Sequence, residues 1–306
     1  MMQPLTGSFV ALITPMFPDG TIDYDSLKSL IDWHVRSGTS GIVAVGTTGE
    51  SATLLIEEHI KVIENTVNYV NGRIPVIAGS GSNSTAQAIE TTIESKKVGA
   101  DYALLVTPYY NKPTQKGLIE HYLKIADTVD IPQILYNVPS RTACDLKSET
   151  VSRLSEHPNI IGLKEAVADS SRLNQLYSLA EKIKHQKKFY VFSGDDLTFN
   201  SHMSNGGDGV ISVAANILPA EISEICSLNL NNKCSEAKKL NKKFSSFYEL
   251  LFIESNPIPV KWMLERMSKI KSGIRLPMVA LSKKYHERVL NEMMNLKLLF
   301  YLSVFQ

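Results

Sequence analysis

The sequence predicts an α/β protein, a (β/α)8 TIM barrel with a small C-terminal helical extension. Eight short runs rich in Val, Ile, Leu or Tyr lie between residues 9 and 213, and each is continuously apolar, as strands covered on both faces are. Segments with the apolar spacing of helices separate these runs, which indicates parallel strands joined by right-handed crossovers. Eight repeats of about 25–30 residues favour closure into a barrel, and a doubly wound open sheet is the alternative.

Strands and helices alternate regularly along the first part of the chain. The predicted strands are residues 9–14, 41–46, 75–79, 102–107, 133–138, 160–164, 189–193 and 209–213. Helices are predicted at residues 25–37 and 56–70, with another that Ser84 precedes and that runs through Lys97, another opened by Pro113 and another capped by Ser170 or Ser171. Beyond residue 229 the sequence predicts helices alone, at residues 233–251, 257–267 and 282–299. We therefore expect a barrel of residues 1–228 and a C-terminal helical domain of residues 229–306.

Composition places the chain among ordinary globular proteins. It has 306 residues, 43% of them hydrophobic, and a formal net charge of +1, with no basic block that would indicate binding to nucleic acid or to a membrane surface. Three cysteines without a C-x-x-C pair are typical of a reducing compartment. Residues 1–10 lack the pattern of a signal peptide, and the apolar residues 296–305 are too few to span a bilayer. We expect a cytoplasmic protein whose last helix packs on the domain or on a partner subunit.

In a barrel of this kind, chemistry takes place at the C-terminal ends of the strands. The residues expected there are small, hydroxylic and glycine-rich with few charges, which indicates a pocket for a small polar molecule; they are 14–15, 47–51, 79–81, 107–110, 136–139, 164–165, 193–196 and 212–213. No two of the seven histidines have the spacing of metal ligands. A dinucleotide-binding fingerprint, a P-loop and a G-x-S-x-G elbow are also missing from the sequence.

Lys164 is the one lysine embedded in a predicted strand at that end of the barrel. Side chains alternate along a strand, so Gly162 and Lys164 share one face while Ile161 and Leu163 share the other. If both faces are covered, burial lowers the pKa of the lysine, and a neutral amine is a nucleophile for ketones and aldehydes. The alternative is an exposed lysine at the end of a strand.

Three further features at the same end suit amine chemistry on a carbonyl compound. Residues 46–51 (GTTGES) offer backbone N–H groups and hydroxyls to a carboxylate or phosphate, although turn geometry also explains their glycines. Tyr136 can relay protons beside an imine-forming lysine, or it can be an ordinary core tyrosine. Arg141 offers a planar fork to a carboxylate, or it is a solvated loop arginine.

Five motifs carry a resemblance to a known family. They are residues 46–51 (GTTGES), 107–115 (TPYYNKPTQ), 135–142 (LYNVPSRT), 162–166 (GLKEA) and 193–196 (SGDD). With these motifs in this order, the chain resembles the dihydrodipicolinate synthase family, within the N-acetylneuraminate lyase superfamily of pyruvate-dependent class I aldolases. The resemblance implies a lyase that condenses pyruvate with L-aspartate 4-semialdehyde in diaminopimelate and lysine biosynthesis. It also implies that no cofactor is needed and that the protein is a homotetramer, a dimer of dimers.

The resemblance also assigns roles to individual residues. Lys164 would form the Schiff base with pyruvate, and Tyr136, Thr47 and Tyr110 would be the proton relay, with Tyr110 reaching in from a neighbouring subunit. Thr48 would hold the pyruvate carboxylate, and Arg141 would bind the carboxylate of the incoming semialdehyde. Two further substrate-binding positions complete the expected site, namely Gly194 and Ile211.

One departure from the family concerns inhibition by lysine. In lysine-inhibited members, an allosteric pocket at the dimer interface uses the positions matching Ser51, Ala52, Ile56, His59, Asn83, Gln87 and Tyr109. Here Ile56 stands where a polar or basic residue is common, and Gln87 stands where the family has Glu. Because Gln87 offers no full negative charge to a lysine ammonium, we expect weak or absent feedback inhibition.

Other functions on the same barrel stay open from the sequence. A sibling lyase, acting on N-acetylneuraminate or on 2-keto-3-deoxy-sugar acids, would share Lys164 and Tyr136. The Thr47–Thr48 pair and the loop at residues 140–141 favour a short acidic acceptor over a sugar chain. A non-catalytic barrel that binds a keto acid would be expected to lose the lysine or the tyrosine.

Overall fold

Eight parallel strands close into a barrel in the computed structural model, which describes residues 5–299 of the chain. The strands are β1 (Gly7–Ala11), β2 (Gly41–Ala44), β3 (Val76–Gly79), β4 (Tyr102–Val106), β5 (Gln133–Asn137), β6 (Ile160–Glu165), β7 (Tyr190–Ser193) and β8 (Gly209–Ser212). They pair in the order of the sequence, and β8 closes the sheet on β1, where Phe9 aligns with Ile211. The predicted barrel is therefore confirmed, and the open sheet is excluded.

Helices follow the strands and cover the outside of the barrel. Within residues 5–299 they are α1 (Tyr24–Arg36), α2 (Ile56–Val70), α3 (Thr85–Lys97), α4 (Gln115–Thr128), α5 (Pro139–Thr142), α6 (Ser148–Leu154), α7 (Ser170–Ile183), α8 (Phe199–Ser204), α9 (Pro219–Leu230), α10 (Cys234–Lys242), α11 (Ser245–Leu250), α12 (Ile258–Arg266) and α13 (His286–Asn295). In the part of the chain that is described, no helix combines the length and the apolar character needed to cross a bilayer.

The first strand is shifted from its predicted position at residues 9–14. It begins at Gly7 and ends at Ala11, although the apolar run continues. Beyond that end, the backbone N–H of Ile13 donates to the side chain of Asn216 at 3.1 Å instead of to a neighbouring strand. A side chain that is distant in the sequence, in the segment after β8, therefore ends the ladder, and the local sequence carries no sign of this.

Two predicted helix starts need correction. Ser84 caps α3 as expected, because its side chain accepts the N–H of Gln87. The cap of α7 is Asp169 rather than Ser170 or Ser171, since the Asp169 carboxylate accepts the N–H of Arg172 at 2.7 Å. Similarly, α4 is capped by the Thr114 side chain and begins one residue later, so the preceding proline lies outside the helix.

The C-terminal part is helical, with a break that the sequence prediction missed. The segment predicted as one helix at residues 233–251 divides into α10 and α11, because Phe244 leaves helical geometry and is buried in the core. The hydroxyl of Tyr248 then donates to the Asn241 side chain across the break. The predicted helix at residues 282–299 is shorter, with α13 ending at Asn295. The predicted packing of the C-terminal segment can be followed as far as Leu299, which is partly buried against the core. Residues 300–306 lie outside the described part of the chain.

Three hydrophobic clusters hold the structure together. One fills the barrel interior and includes Phe9, Tyr136 and Phe192. A second packs α3, α4, α6 and α7 on the outer strand faces. The third, which is the largest, joins the outside of β1 and β2 to the C-terminal helices α10–α13. The predicted domain boundary between residues 228 and 229 falls inside α9, which packs in this shared cluster. That boundary stays a prediction.

Candidate active site

Lys164 lies inside the barrel near the C-terminal end of β6. Lys164 is only 6% exposed. Its partner across the β5–β6 ladder is Tyr136, so both side chains lie on the same face of the sheet. Burial lowers the pKa of Lys164 to about 7, a shift that the Arg141 guanidinium increases and the Asp196 carboxylate opposes. An exposed strand-end lysine is therefore excluded, and a large share of the amine is neutral near pH 7.

A glycine leaves room for the lysine side chain. A Cβ atom at Gly194, just after β7, would lie 3.1 Å from Cε of Lys164 and 3.1 Å from Cβ of Ala166. Both contacts are tighter than ordinary van der Waals packing, so Lys164 and Ala166 would each have to shift to admit a side chain at this position. Gly194 thus belongs to the site through the space that it leaves.

Tyr136 is buried beside the lysine and keeps its proton at neutral pH. Burial raises the pKa of Tyr136 to about 12, although the Arg141 guanidinium and hydrogen bonding with Thr47 act in the opposite direction. A protonated phenol in contact with a second hydroxyl can donate a proton to a neighbouring group and be reprotonated through that hydroxyl.

The loop that carries Thr47 and Thr48 has an unusual backbone. Val45 and Glu50 both adopt positive φ angles, 53° and 60°, in the left-handed region that L-residues rarely occupy. Between them, Gly49 has no room for a side chain, because a Cβ there would lie 2.9 Å from Cα of Val45. A backbone held in this conformation requires support from its surroundings.

That support comes from the C-terminal segment. Glu50 is buried and forms an ion pair with the equally buried Lys261 of α12, whose ammonium also donates to the carbonyl oxygen of Thr14 at 3.0 Å. The second carboxylate oxygen of Glu50 accepts the backbone N–H of Arg275 at 3.1 Å. Lys261 had no predicted role, since nothing in the local sequence shows that α12 reaches the loop after β2.

These residues surround one cavity of about 420 Å³ at the C-terminal end of the barrel. Six of the eight predicted site residues line it: Thr47, Thr48, Tyr136, Arg141, Lys164 and Gly194. Residues that the sequence analysis did not assign to a substrate complete the wall, among them Ser140, Asp195, Leu197, Phe252, Ser255 and Asn256. The volume suits a small metabolite, and the Arg141 cation with the threonine hydroxyls suits an anionic one.

The other two predicted residues do not line this cavity. Ile211 on β8 is buried within the interior cluster. Tyr110 is 89% exposed and has a φ angle of 74°, so in the single chain its side chain is not brought to Lys164. Both therefore lack, within one subunit, the contacts that their predicted roles require.

Two buried carboxylates near Lys164 also had no predicted role. Asp196 accepts hydrogen bonds from the Ser212 hydroxyl and the backbone N–H groups of Val213 and Ala214, and burial raises its pKa to about 6. Glu165 follows Lys164 but faces away from the barrel interior.

Glu165 belongs to a polar network behind the strand. It accepts hydrogen bonds from the Asn137 amide at 3.0 Å, and Arg172 bridges it to Asp145. Burial raises the pKa of Glu165 to about 7. Asp196 and Glu165 are recognisable as acidic residues in the sequence, but their burial follows only from the closed barrel.

A second cavity of about 530 Å³ lies beside the first, and Thr47, Val138 and Arg141 line both. Six of the seven positions predicted for lysine control line the second cavity: Ser51, Ala52, Ile56, His59, Gln87 and Tyr109. Here the Gln87 side chain accepts a hydrogen bond from the Ser82 hydroxyl at 2.9 Å. Within residues 5–299, no cluster of three or more His, Cys, Asp or Glu side chains is arranged to hold a metal ion.

Known proteins resemble the chain over nearly its whole length. A model of the dihydrodipicolinate synthetase family matches residues 4–295. The 4-hydroxy-tetrahydrodipicolinate synthase of Cellvibrio japonicus is 53% identical over 285 residues, covering 93% of this chain and 97% of the relative, and that of Pseudomonas aeruginosa is 53% identical over 283 residues, covering 92% and 95%. The crystal structure of the Acinetobacter baumannii dihydrodipicolinate synthase complexed with pyruvate has 49% sequence identity and a TM-score of 0.93, covering 97% of this chain and all of that one.

Proposed function

The chain belongs to the dihydrodipicolinate synthetase family, and from that premise we propose that it is a lyase that condenses pyruvate with L-aspartate 4-semialdehyde. This reaction is the first committed step of diaminopimelate and lysine biosynthesis. The observation that carries the proposal is the buried Lys164 amine over the ring of Tyr136, in a cavity whose walls offer groups for two carboxylates.

The reaction begins at the Lys164 amine. Its lone pair attacks the carbonyl carbon of pyruvate, and the resulting carbinolamine loses water to give a protonated imine. The imine withdraws electrons, so the pyruvate methyl group loses a proton and becomes a nucleophilic enamine. The enamine carbon then bonds to the aldehyde carbon of the second substrate, whose oxygen is protonated to a hydroxyl. Attack of the substrate's amino group on the imine carbon closes the ring and returns Lys164 as a free amine, so no cofactor is required.

Proton movements in these steps fall to the tyrosine and its partner. Tyr136 holds a proton at neutral pH, and it can deliver that proton to the departing carbinolamine oxygen. Thr47, hydrogen-bonded to it, passes protons onward. Tyr110 completes the relay from a neighbouring subunit, a role supported by its exposure in the single chain and by its position in the motif of residues 107–115. We accordingly propose a homotetramer, a dimer of dimers.

Anion binding fixes the two substrates. Thr48 and the backbone of its loop hold the pyruvate carboxylate, while the Arg141 guanidinium binds the carboxylate of the semialdehyde. Gly194 leaves space for the imine at Lys164, and Ile211 acts indirectly, because it packs in the same interior cluster as Tyr136. We further propose a cytoplasmic location, which the three free cysteines Cys144, Cys226 and Cys234 support.

A turnover assay tests this function. Pyruvate consumption is measured with aspartate 4-semialdehyde as the acceptor, alongside the cleavage of N-acetylneuraminate and of 2-keto-3-deoxy-sugar acids. We expect consumption only with the semialdehyde, and none for the matched variant Lys164→Arg, which keeps the charge but supplies no neutral amine. Cleavage of a sugar acid at a greater rate than semialdehyde condensation would replace the proposal with a sibling lyase.

A further inference from the structure

We propose that Asn256, in the segment between α11 and α12, is a positioning residue for pyruvate, acting through the hydroxyl of Thr48. Its side-chain Nδ2 donates a hydrogen bond to Oγ1 of Thr48 at 3.0 Å, and both residues line the cavity that contains Lys164. Asn256 is 4% exposed. The inference rests on the proposed function, because it concerns how that site holds its keto acid.

The direction of this hydrogen bond determines what Thr48 can do. A threonine hydroxyl has one hydrogen to donate and two lone pairs that accept, whereas an amide N–H can only donate. Asn256 therefore occupies a lone pair of Thr48 and leaves its hydrogen free. Within residues 5–299, no protein group accepts that hydrogen, so it remains available to an acceptor in the cavity. A carboxylate oxygen of pyruvate is such an acceptor.

The other end of the Asn256 amide separates this role from a purely structural one. Buried asparagines normally satisfy both their carbonyl and their NH₂ group, yet Oδ1 of Asn256 is buried and has no hydrogen-bond partner among the described residues. Among residues 5–299, the contact with Thr48 is thus the one side-chain hydrogen bond that this amide makes. An unpaired buried acceptor costs stability, so the placement of this amide is not explained by stability alone.

The structure presets the distance between the two residues. They are 208 positions apart in the sequence, and their contact depends on how α12 packs against the loop after β2. The buried ion pair between Glu50 and Lys261 fixes that packing close to both residues. Glu50 lies two residues after Thr48, and Lys261 lies five residues after Asn256. Asn256 therefore meets Thr48 before substrate arrives, which spares pyruvate the cost of ordering the hydroxyl.

The experiment compares pyruvate affinity in full-length variants. The fraction of protein carrying a borohydride-reduced pyruvyl adduct is measured against pyruvate concentration, together with kcat and the KM for pyruvate. We expect Asn256→Ala to raise the half-saturating pyruvate concentration about five- to fifty-fold with kcat less affected, the range expected for a lost hydrogen bond that supports a charged ligand. Asn256→Asp keeps the shape but only accepts, so it should capture the Thr48 hydrogen and be at least as damaging.

A double-mutant cycle identifies the route of the effect. If Asn256 acts through the Thr48 hydroxyl, then Asn256→Ala should add little further loss in a Thr48→Val background. The matched control is Asn229→Ala, a buried asparagine of α9 that bonds Asn200 away from the cavity. It should lower the melting temperature while leaving pyruvate half-saturation unchanged.

Each outcome bears on a different claim. Unchanged half-saturation in both Asn256 variants, or fully additive losses in the cycle, would overturn the role of Asn256 while leaving the lyase intact. Absence of any adduct in the folded wild-type protein would instead overturn the proposed function, and this inference with it.

Discussion

Nζ of Lys164 lies 4.2 Å from the centroid of the Tyr136 ring, and the two residues are direct partners in the β5–β6 ladder. A lysine over the face of a buried aromatic ring exchanges its water shell for apolar contact. Burial depresses the pKa of the amine, and the strand pairing sets that amine against the ring of a phenol that keeps its proton at neutral pH. Nucleophile and proton donor are thus positioned together by one strand pairing.

The pH dependence of imine formation follows from the lysine. Because the pKa of Lys164 is lowered to about 7, the amine is mostly protonated and inert below that pH and mostly neutral above it. We expect the rate of adduct formation with pyruvate to rise with pH through a midpoint near 7 and then to level off. Rapid-quench trapping across this range provides the measurement. A midpoint near the ordinary lysine pKa of about 10.4 would mean that the amine is not desolvated in solution.

Removing the Tyr136 hydroxyl should affect the chemistry and leave the fold in place. Tyr136→Phe keeps the ring that packs in the barrel interior but loses the proton donor. We expect kcat to fall by about 10²-fold or more, as for other general acid–base residues, with a melting temperature close to that of the wild type. Steady-state kinetics and a thermal melt decide this, and full activity in the variant would assign proton transfer to another group.

The buried pair of Lys261 and Glu50 should behave as a coupled unit. Lys261→Met leaves the Glu50 carboxylate buried without its partner, which should lower the free energy of unfolding by about 3–5 kcal/mol. Adding Glu50→Gln removes the unpaired charge and should restore part of the loss. Urea denaturation of the two variants provides the measurement. Equal stability of the Lys261→Met variant and the wild type would show that water reaches this pair.

Feedback by lysine is expected to be weak or absent. The second cavity presents the neutral Gln87 amide and the apolar Ile56 to any ligand there, so a lysine ammonium meets no full negative charge from either residue. The Gln87→Glu variant should bind lysine more tightly than the wild type, since it supplies that charge. Inhibition of the wild type by micromolar to low-millimolar lysine in a turnover assay would contradict this expectation.

Much of the fold was predictable because its signals are local and repeated. The eight apolar runs became the eight strands, and α2 has the predicted bounds of residues 56–70. The errors occur where distant groups intervene. Asn216 replaces a strand as the partner of Ile13, and Phe244 turns inward and breaks a helix that its neighbours would have continued.

The site was predictable to the extent that strand ends meet at one rim. Lys164 and Tyr136 were identified from their places near the ends of predicted strands and Arg141 from the loop after one of them, and the barrel brings the three to one cavity. Asn256 and Lys261 could not be found in this way, because they follow no strand and contact the site only through the packing of α12. Tyr110 is exposed in the single chain, and its proposed role depends on a second copy, whose position no pattern within one copy can locate.

The most direct test of the account is intact-mass spectrometry of the protein after incubation with pyruvate and borohydride, followed by peptide mapping. The account predicts one reduced pyruvyl adduct per chain, located on the peptide that contains Lys164 and absent from the Lys164→Arg variant. No adduct on the folded wild-type protein, or an adduct on another lysine such as Lys261, would contradict it.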